Sequence, residues 1–319
     1  MDIKERKGPE GIVKAVCTSE RKGVEKHSVE GGFFMEDFGI KGDAHGGKWH
    51  RQVSLLSYDK VKEFNARGAN VEDGAFGENL VVEGIDFRSL PVGTRFYAGE
   101  VILEMTQIGK ECHSHCAIFK RMGECIMPKE GVFAEVIKGG WIRPGDKMET
   151  QFPPEHRPFR AAVITVSDKG SRGERVDESG PAAREMLEKA GYTVVETLIL
   201  PDEPAALKTQ LMRLADGRQV DLVVTSGGTG FSLRDQTPEA TLAVADRLAP
   251  GIAEAIRYQS MAVTNRAMLS RGVSVIRKQT VIVNLPGSPK AVRESLGYIL
   301  DSLDHGIRIL RGSASECAR

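Results

Sequence analysis

The ten residues from Gln151 to Arg160, QFPPEHRPFR, carry three prolines, and the apolar pattern of the chain changes character across them. Proline lacks a backbone N–H and has a fixed φ, so neither a helix interior nor a central strand tolerates such a run. The stretch predicts a short, stiff linker at 151–160, with one domain over residues 1–150 and a second over 161–319. A chain of 319 residues has room for two domains of ordinary size.

Before the linker, apolar residues come in short runs such as GIVKAV from Gly11, VSLL from Val53 and VILEM from Val101, with many glycines between them. Runs of this length broken by turn residues read as strands, and the expected fold is a mostly β barrel. The turns Pro91 to Thr94 and Arg143 to Asp146 place Pro and Gly just ahead of further strands.

After the linker, strands alternate with helices. Strands are predicted over 161–166, 193–200, 220–225 and 280–285, and helices over 181–189, capped by Ser179, and over 204–214. A long helix is predicted from Pro238, with Thr237 as its N-cap and proline where a missing N–H costs nothing, and a final helix from Ser288-Pro289. This alternation implies an α/β fold of three layers, a mainly parallel sheet covered on both faces.

Bulk properties narrow the function. Acidic and basic residues number 44 each, which removes the electrostatic argument for nucleic acid as a partner. No apolar run approaches the roughly 20 residues that span a bilayer, so no membrane is expected. The opening MDIKERKGPE lacks the apolar core of a secretory signal, and five cysteines then point to free thiols in a reducing cytoplasm.

In open parallel sheets ligands bind beyond the carboxyl ends of the strands. Four loops of the second domain fall there: Ser167-Asp168 with the residues to Gly173, Pro201-Asp202-Glu203, the run Thr225-Ser226-Gly227-Gly228-Thr229-Gly230, and Pro286-Gly287-Ser288-Pro289-Lys290. The glycine run is phosphate-shaped, yet the lysine of a P-loop is missing. Taken singly, the glycines are explained by a tight turn, Asp202 by a cap ahead of Pro204, and Asp235 by a solvated loop charge. Taken together, two carboxylates and a glycine loop at one sheet edge match what a magnesium nucleotide requires.

The segments SDKGSRGERVDESGP, LPDE, TSGGTGFSLRDQTPEAT and NLPGSPKAV resemble, in order and spacing, the molybdopterin adenylyltransferases of molybdenum cofactor biosynthesis, the MogA/MoaB-like domain. The resemblance covers nearly all of residues 160–312. It implies a commonly trimeric α/β protein that transfers AMP from ATP to the terminal phosphate of molybdopterin, releases pyrophosphate, and hands its product to a separate molybdate-inserting protein. The essential acidic positions of that family fall on Asp202 and Asp235, implied to hold magnesium (Mg2+) and orient the triphosphate. Gly227 to Gly230 and Thr229 would hold phosphate through backbone amides and a hydroxyl. The loop from Pro286 to Lys290 would form a second anion site, with Ser167, Asp168 and Ser226 lining the same pocket.

Two stretches stand out in the first domain: KGDAHGGKWHR from Lys41, and Cys112-His113-Ser114-His115-Cys116 with Cys125 nearby. The second invites a zinc reading, but its spacing fits no common zinc-finger layout, and a buried thiol or a functional thiol stands beside it. The order KGDAHGG, RQVSLLS, FGENLVVEG, VGTRF and a cysteine after VILEMTQIG resembles the MOSC domain. That resemblance implies a β-barrel that binds molybdenum cofactor or handles sulfur through a cysteine, here Cys112. The family often has Pro-Cys where this chain has Glu111-Cys112. If the domain binds a phosphate-bearing pterin, Lys41, His45 and Arg51 are the candidate anion site. Two other readings stay open, a carrier or scaffold that binds the pterin without turnover and a sulfur carrier using Cys112.

Overall fold

The computed structural model describes residues 6–112 and 117–312, which form two compact units that divide between Pro154 and Glu155. In the first unit the order is β1 (Lys7–Thr18), β2 (His27–Val29), β3 (Gly32–Met35), β4 (Gly39–Ile40), β5 (Val53–Ser57), α1 (Tyr58–Ala66), β6 (Leu80–Glu83), β7 (Arg95–Ala98), β8 (Val101–Ile108), α2 (Ala117–Met122), α3 (Met127–Glu130), β9 (Val132–Lys138), β10 (Gly140–Ile142) and β11 (Lys147–Gln151). Seven strands close into a barrel in the order β11-β7-β8-β9-β5-β6-β1, with β1 pairing back onto β11. Closure removes the free edges that an open sheet of this size would leave.

Strand alternation fills the barrel. Val101, Leu103 and Met105 of β8 point inward to meet Phe96, Val53, Leu55 and Met148. A second cluster, Leu56, Phe64, Phe76, Ile118 and Phe133, lies where α1 and α2 cover the outer face. The Pro-Gly turns at 91–94 and 143–146 stand immediately before β7 and β11.

The second unit runs β12 (Arg160–Val166), α4 (Asp168–Ser171), α5 (Ser179–Lys189), β13 (Thr193–Leu200), α6 (Pro204–Met212), β14 (Leu222–Ser226), α7 (Thr237–Leu242), β15 (Arg247–Leu248), α8 (Pro250–Met261), β16 (Ser274–Arg277), β17 (Thr280–Leu285) and α9 (Pro289–Leu310). Its sheet has the order β13-β12-β14-β17-β16-β15, parallel through β17, with β16 and β15 added antiparallel. Ala161, Val163, Leu222, Val224, Val281 and Val283 pack with α5, α8 and α9. Their neighbours Ala162, Ile164, Val223 and Ile282 pack in a separate cluster with α6 and α7. Both faces of β12, β14 and β17 are therefore buried, which explains why these strands read as continuous apolar runs. No helix among the described residues is long and apolar enough to cross a membrane.

Four local expectations are corrected. The helix expected to run long from Pro238 stops after six residues at Leu242, because the chain turns to lay β15 on the sheet edge and restarts as α8 at Pro250. Thr237 is its first residue, not its cap. Ser179 is the first residue of α5, the N-cap position is Glu178, and the side chain that serves the first turn is Asp177, whose Oδ1 accepts from the amides of Ser179 and Gly180, both at 3.0 Å. The helix α6 ends at Met212 and widens into a π turn over Arg213–Gly217.

The proline-rich stretch is anchored at both ends, since Gln151 closes β11 and Arg160 opens β12. Its second half packs into the second unit through Phe159 and through Asp221, just ahead of β14. Asp221 accepts from Arg157 at 3.0 Å, from the Arg160 amide at 2.6 Å and from Arg311 at 2.6 Å, with its own side chain 4% exposed. One buried carboxylate thus ties the entry strand to the end of α9. Removing one partner of such a cluster leaves the other charges buried and unpaired. Asp221→Ala is expected to destabilise the second unit by about 3–5 kcal/mol, seen as a lower urea midpoint for that unit with the barrel transition unmoved.

Candidate active site

Strand register decides which residues of the second unit meet. Val166 of β12 pairs with Leu200 of β13, Thr165 with Ser226 of β14, and Ser226 with Leu285 of β17. The four strands therefore end side by side, and the loops that begin at Ser167, Pro201, Gly227 and Pro286 open at one edge.

Gly227 is the packing centre of that edge. Its φ is +102°, its amide donates to Leu285 O at 3.3 Å, and a Cβ there would collide with the carbonyl oxygen of Val166. A Cβ on Gly287 would stand 3.3 Å from Gly227 Cα, so the loop after β17 also closes on it. Gly228 follows with φ +63° and leaves no room for a side chain against Thr237 Oγ1. Only glycine combines this backbone conformation with this close approach.

The carboxylates are held by amides. Asp202 Oδ2 accepts from the Asp168 amide at 2.8 Å, and Asp168 Oδ1 accepts from the Asp202 amide at 3.0 Å, a reciprocal clasp between the loops after β12 and β13. Arg234, from the loop after β14, donates to Asp168 at 2.9 Å and to Glu203 at 3.0 Å. Asp235 Oδ2 accepts from the Ser232 amide at 3.0 Å. Burial first, and then the negative charges of Asp168 and Asp235, push the Asp202 carboxyl above its usual range, opposed by the Asp168 amide hydrogen bond and more weakly by Arg234. The amide of Asp202 and the guanidinium of Arg234 hold Asp168 below it. The charges of Asp168 and Asp235 thus both act on Asp202, and like charge gathers at this edge.

Other sequence-selected residues at this edge serve the backbone. Ser167 Oγ accepts from Gly170 N at 3.0 Å and caps α4, Ser288 Oγ accepts from Ala291 N at 3.2 Å and caps α9, and Ser226 Oγ donates to Pro286 O at 3.1 Å. Thr229 is buried, with its carbonyl accepting from the Arg271 amide at 2.9 Å. Lys290 is exposed and turns along α9 toward Glu294, 3.8 Å away.

In the first unit the segment 41–51 is organised by a buried ion pair. Lys26 donates to Asp43 with both side chains 1% exposed, and Asp43 also accepts from the amides of Ser19 at 3.1 Å and His45 at 3.0 Å. Burial works against its ionisation, but the His45 and Lys26 hydrogen bonds outweigh it and hold Asp43 well below the carboxylate range. Trp49 Nε1 donates to His45 O at 3.0 Å, and the Arg51 guanidinium lies 4.8 Å over the Trp49 ring and 5.5 Å over Phe133. His50 Nε2 lies 3.0 Å from Gln107 Oε1, which ties the segment to the end of β8, from which the chain proceeds to Cys112. Cys112 and Lys41 are exposed. The remainder of the Cys-His run, 113–116, lies outside the described residues.

Two family models match the chain, the MOSC domain over residues 41–149 and the "Probable molybdopterin binding domain" over 162–305. Molybdopterin adenylyltransferase of Escherichia coli K12 is 44% identical over 155 residues, 47% of this chain and 80% of that protein. The chain belongs to the molybdenum cofactor biosynthesis family. Molybdopterin adenylyltransferase of Helicobacter pylori 26695 is 38% identical over 153 residues, 47% of this chain and 87% of its own length. The molybdopterin biosynthesis enzyme MoaB of Thermus thermophilus has 47% identity, covering 48% of this chain and 97% of that one, with a TM-score of 0.47.

In this molybdenum cofactor biosynthesis protein the structure brings Asp168, Asp202, Asp235 and the turn at Gly227-Gly228 to one sheet edge. The residues that brace them are not among the candidate site residues, although Asn284 and Arg234 lie within the quoted motifs. Arg271 donates through its amide and side chain to the loop after β14. Asn284 Nδ2 donates to Thr225 and Thr241 hydroxyls, both at 2.9 Å, while its Oδ1 accepts from Val273 N at 3.2 Å. Asn284 carried a signal, standing just ahead of the Pro-Gly loop, and Arg234 adjoins Asp235. Arg271 and Lys26 carried none, because their partners lie 36 and 17 residues away.

Gly227→Ala is expected to lower the stability of the second unit by about 1–3 kcal/mol through backbone strain. Gly251→Ala, in the first turn of α8 with open space around it, is the control expected to be neutral or slightly stabilising. Denaturant midpoints of the two variants separate the effects.

Proposed function

We propose that the second unit adenylylates molybdopterin with Mg-ATP and that the first unit binds or sulfur-modifies the pterin. The observation that carries this reading is geometric: a Cβ on Gly228 would stand 3.5 Å from Asp202 Oδ1 and one on Gly230 2.8 Å from Asp235 Oδ2, so both carboxylates flank the glycine turn at the end of the sheet where α/β proteins take their ligands. The names of the E. coli and H. pylori relatives support the same chemistry.

In the reaction, a phosphate oxygen of the pterin forms a bond to the α-phosphorus of ATP, and the bond to pyrophosphate breaks. The protein supplies position and charge balance, not covalent chemistry. Asp202 and Asp235 offer hard oxygen donors and are the residues that would hold magnesium, which when bound neutralises phosphate charge. Within the turn from Gly227 to Gly230, whose first amide is engaged by Leu285 O, the amides that follow would serve phosphate oxygens where a P-loop uses its lysine. The loop from Pro286 to Ser288 offers the second anion position, and Arg234 stands beside the acidic clasp to balance added phosphate.

A carrier that binds pterin without turnover is the alternative, and the aspartates separate the two. With purified protein, molybdopterin, ATP and magnesium, wild type should form adenylylated pterin. Asp202→Ala and Asp235→Ala should each lose more than about a hundredfold in rate while pterin binding persists; unchanged turnover in both would leave the carrier. A homo-oligomer, the trimer implied by the resemblance, is supported by exposed Tyr258, Met261, Val263, Met268 and Leu269 on α8 and the turn after it. The product would pass to a separate protein that inserts molybdate.

For the first unit, the exposed Cys112 thiol favours sulfur handling. A persulfide trapped on Cys112 and absent from Cys112→Ser is the expected outcome, read by mass spectrometry; an unreactive thiol would leave cofactor binding by Lys41, His45 and Arg51.

Because the Asp202 carboxyl is raised, it takes up a proton at a higher pH than an ordinary aspartate and loses its metal-binding form there. Magnesium-dependent ATP binding should therefore fall on the acid side above the usual carboxylate range. Arg234→Gln removes the cation that opposes this shift, so the acid limb should move to still higher pH, followed by calorimetric titration across pH.

A further inference from the structure

We propose that Arg271 is a positioning residue for adenylyl transfer that sets the Asp235 carboxylate by closing the loop Gly230–Asp235, an inference that rests on the reading of Asp235 as one of the cation-holding pair. The geometry is that of a staple across the loop. Arg271 Nε donates to Gly230 O at 2.7 Å, and one terminal nitrogen donates to Asp235 O, so a single guanidinium holds the first and last residues of the loop. Its backbone amide donates to Thr229 O at 2.9 Å, which fixes the residue just before the loop. The other terminal nitrogen pairs with Glu239, in the first turn of α7.

Inside the staple, Asp235 N donates to Ser232 O and Ser232 N donates to Asp235 Oδ2, both at 3.0 Å. The direction of the carboxylate is therefore set by the Ser232 amide, and the Ser232 amide is set by where the two loop ends stand. Fixing those ends removes the closure entropy that the loop would otherwise keep.

The staple is itself anchored. Arg257 of α8 donates to Gly272 O at 2.7 Å and to Ser270 O at 3.4 Å, on either side of Arg271. Val273 N donates to Asn284 Oδ1, which joins the same segment to β17. Glu239 balances the Arg271 charge, so its contribution near Asp235 is geometric. A planar guanidinium reaches three acceptors at once, and a lysine ammonium at that distance does not.

The test is calorimetric binding of ATP to the full chain as a function of magnesium, in wild type, Arg271→Lys and Arg271→Gln, with pterin binding in EDTA and thermal stability measured in parallel. Outer positioning residues typically alter metal affinity about ten- to a hundredfold, and both variants should raise the magnesium concentration for half-maximal ATP binding by about tenfold. Lysine should fare little better than glutamine despite its charge, and EDTA-insensitive pterin binding should stay within about twofold of wild type. Magnesium dependence equal to wild type in both variants overturns the proposal. So does a parallel loss of pterin binding and melting temperature, which assigns Arg271 to folding alone. Wild type that binds ATP with no magnesium dependence overturns the reading of Asp235 instead.

Discussion

Everything at the candidate active site depends on how closely the backbone at Gly227 approaches Val166 and Gly287. Three strands of a parallel sheet end level with one another, and the loops that leave them converge on a residue without a side chain. A parallel ladder in fixed register carries its ends to a common line, and the glycine lets the line close. With that contact made, Gly228, Asp202 and Thr237 fall beside it, and the acidic loops have little freedom over where they stand.

Charge at this edge is arranged with equal economy. Asp168 is satisfied by an amide and by Arg234, which leaves it low, whereas Asp202 is half-buried among like charges, which leaves it high. All three carboxylates accept a backbone amide, and what separates Asp168 from Asp202 and Asp235 is the guanidinium of Arg234 that it alone receives. The absent P-loop lysine is consistent with the proposed reading, in which a cation held by Asp202 and Asp235 would perform the neutralisation that lysine performs elsewhere. Arg271 belongs to the same design at one remove, shaping a loop whose charge it does not need to offset.

The first unit is built on a different constraint. Its barrel closes on backbone pairing and an apolar interior, with an exposed Lys147–Glu10 pair across the β1/β11 seam, whereas the glycine-rich segment that follows β4 is held by the buried Lys26–Asp43 pair. A buried ion pair contributes little net stability, and its value lies in fixing one arrangement. Here it places His45 by two contacts from Asp43, and through Trp49 the guanidinium of Arg51. Nearby, burial pushes the Cys17 thiol up to about 12, with Glu78 and Asp73 adding to it, so this cysteine is inert where Cys112 is exposed.

Much of this was legible in the chain itself. Short apolar runs with Pro-Gly turns specified a closed β unit, and βα alternation with loops at the carboxyl ends specified the second, because local periodicity and turn chemistry act over a few residues. That alternation also placed Asp202, Asp235 and the glycine turn at one sheet edge, while the roles given to them came from the resemblance of the ordered motifs. The two-piece path from α7 to α8, the Asp177 hydrogen bonds to the first turn of α5, the hairpin of β16 and β17, and the bracing by Arg271, Arg257 and Lys26 were decided only in three dimensions. Each depends on partners distant in sequence or on the geometry of a sheet edge, and a pattern read along the chain carries no distance between residues that folding brings together.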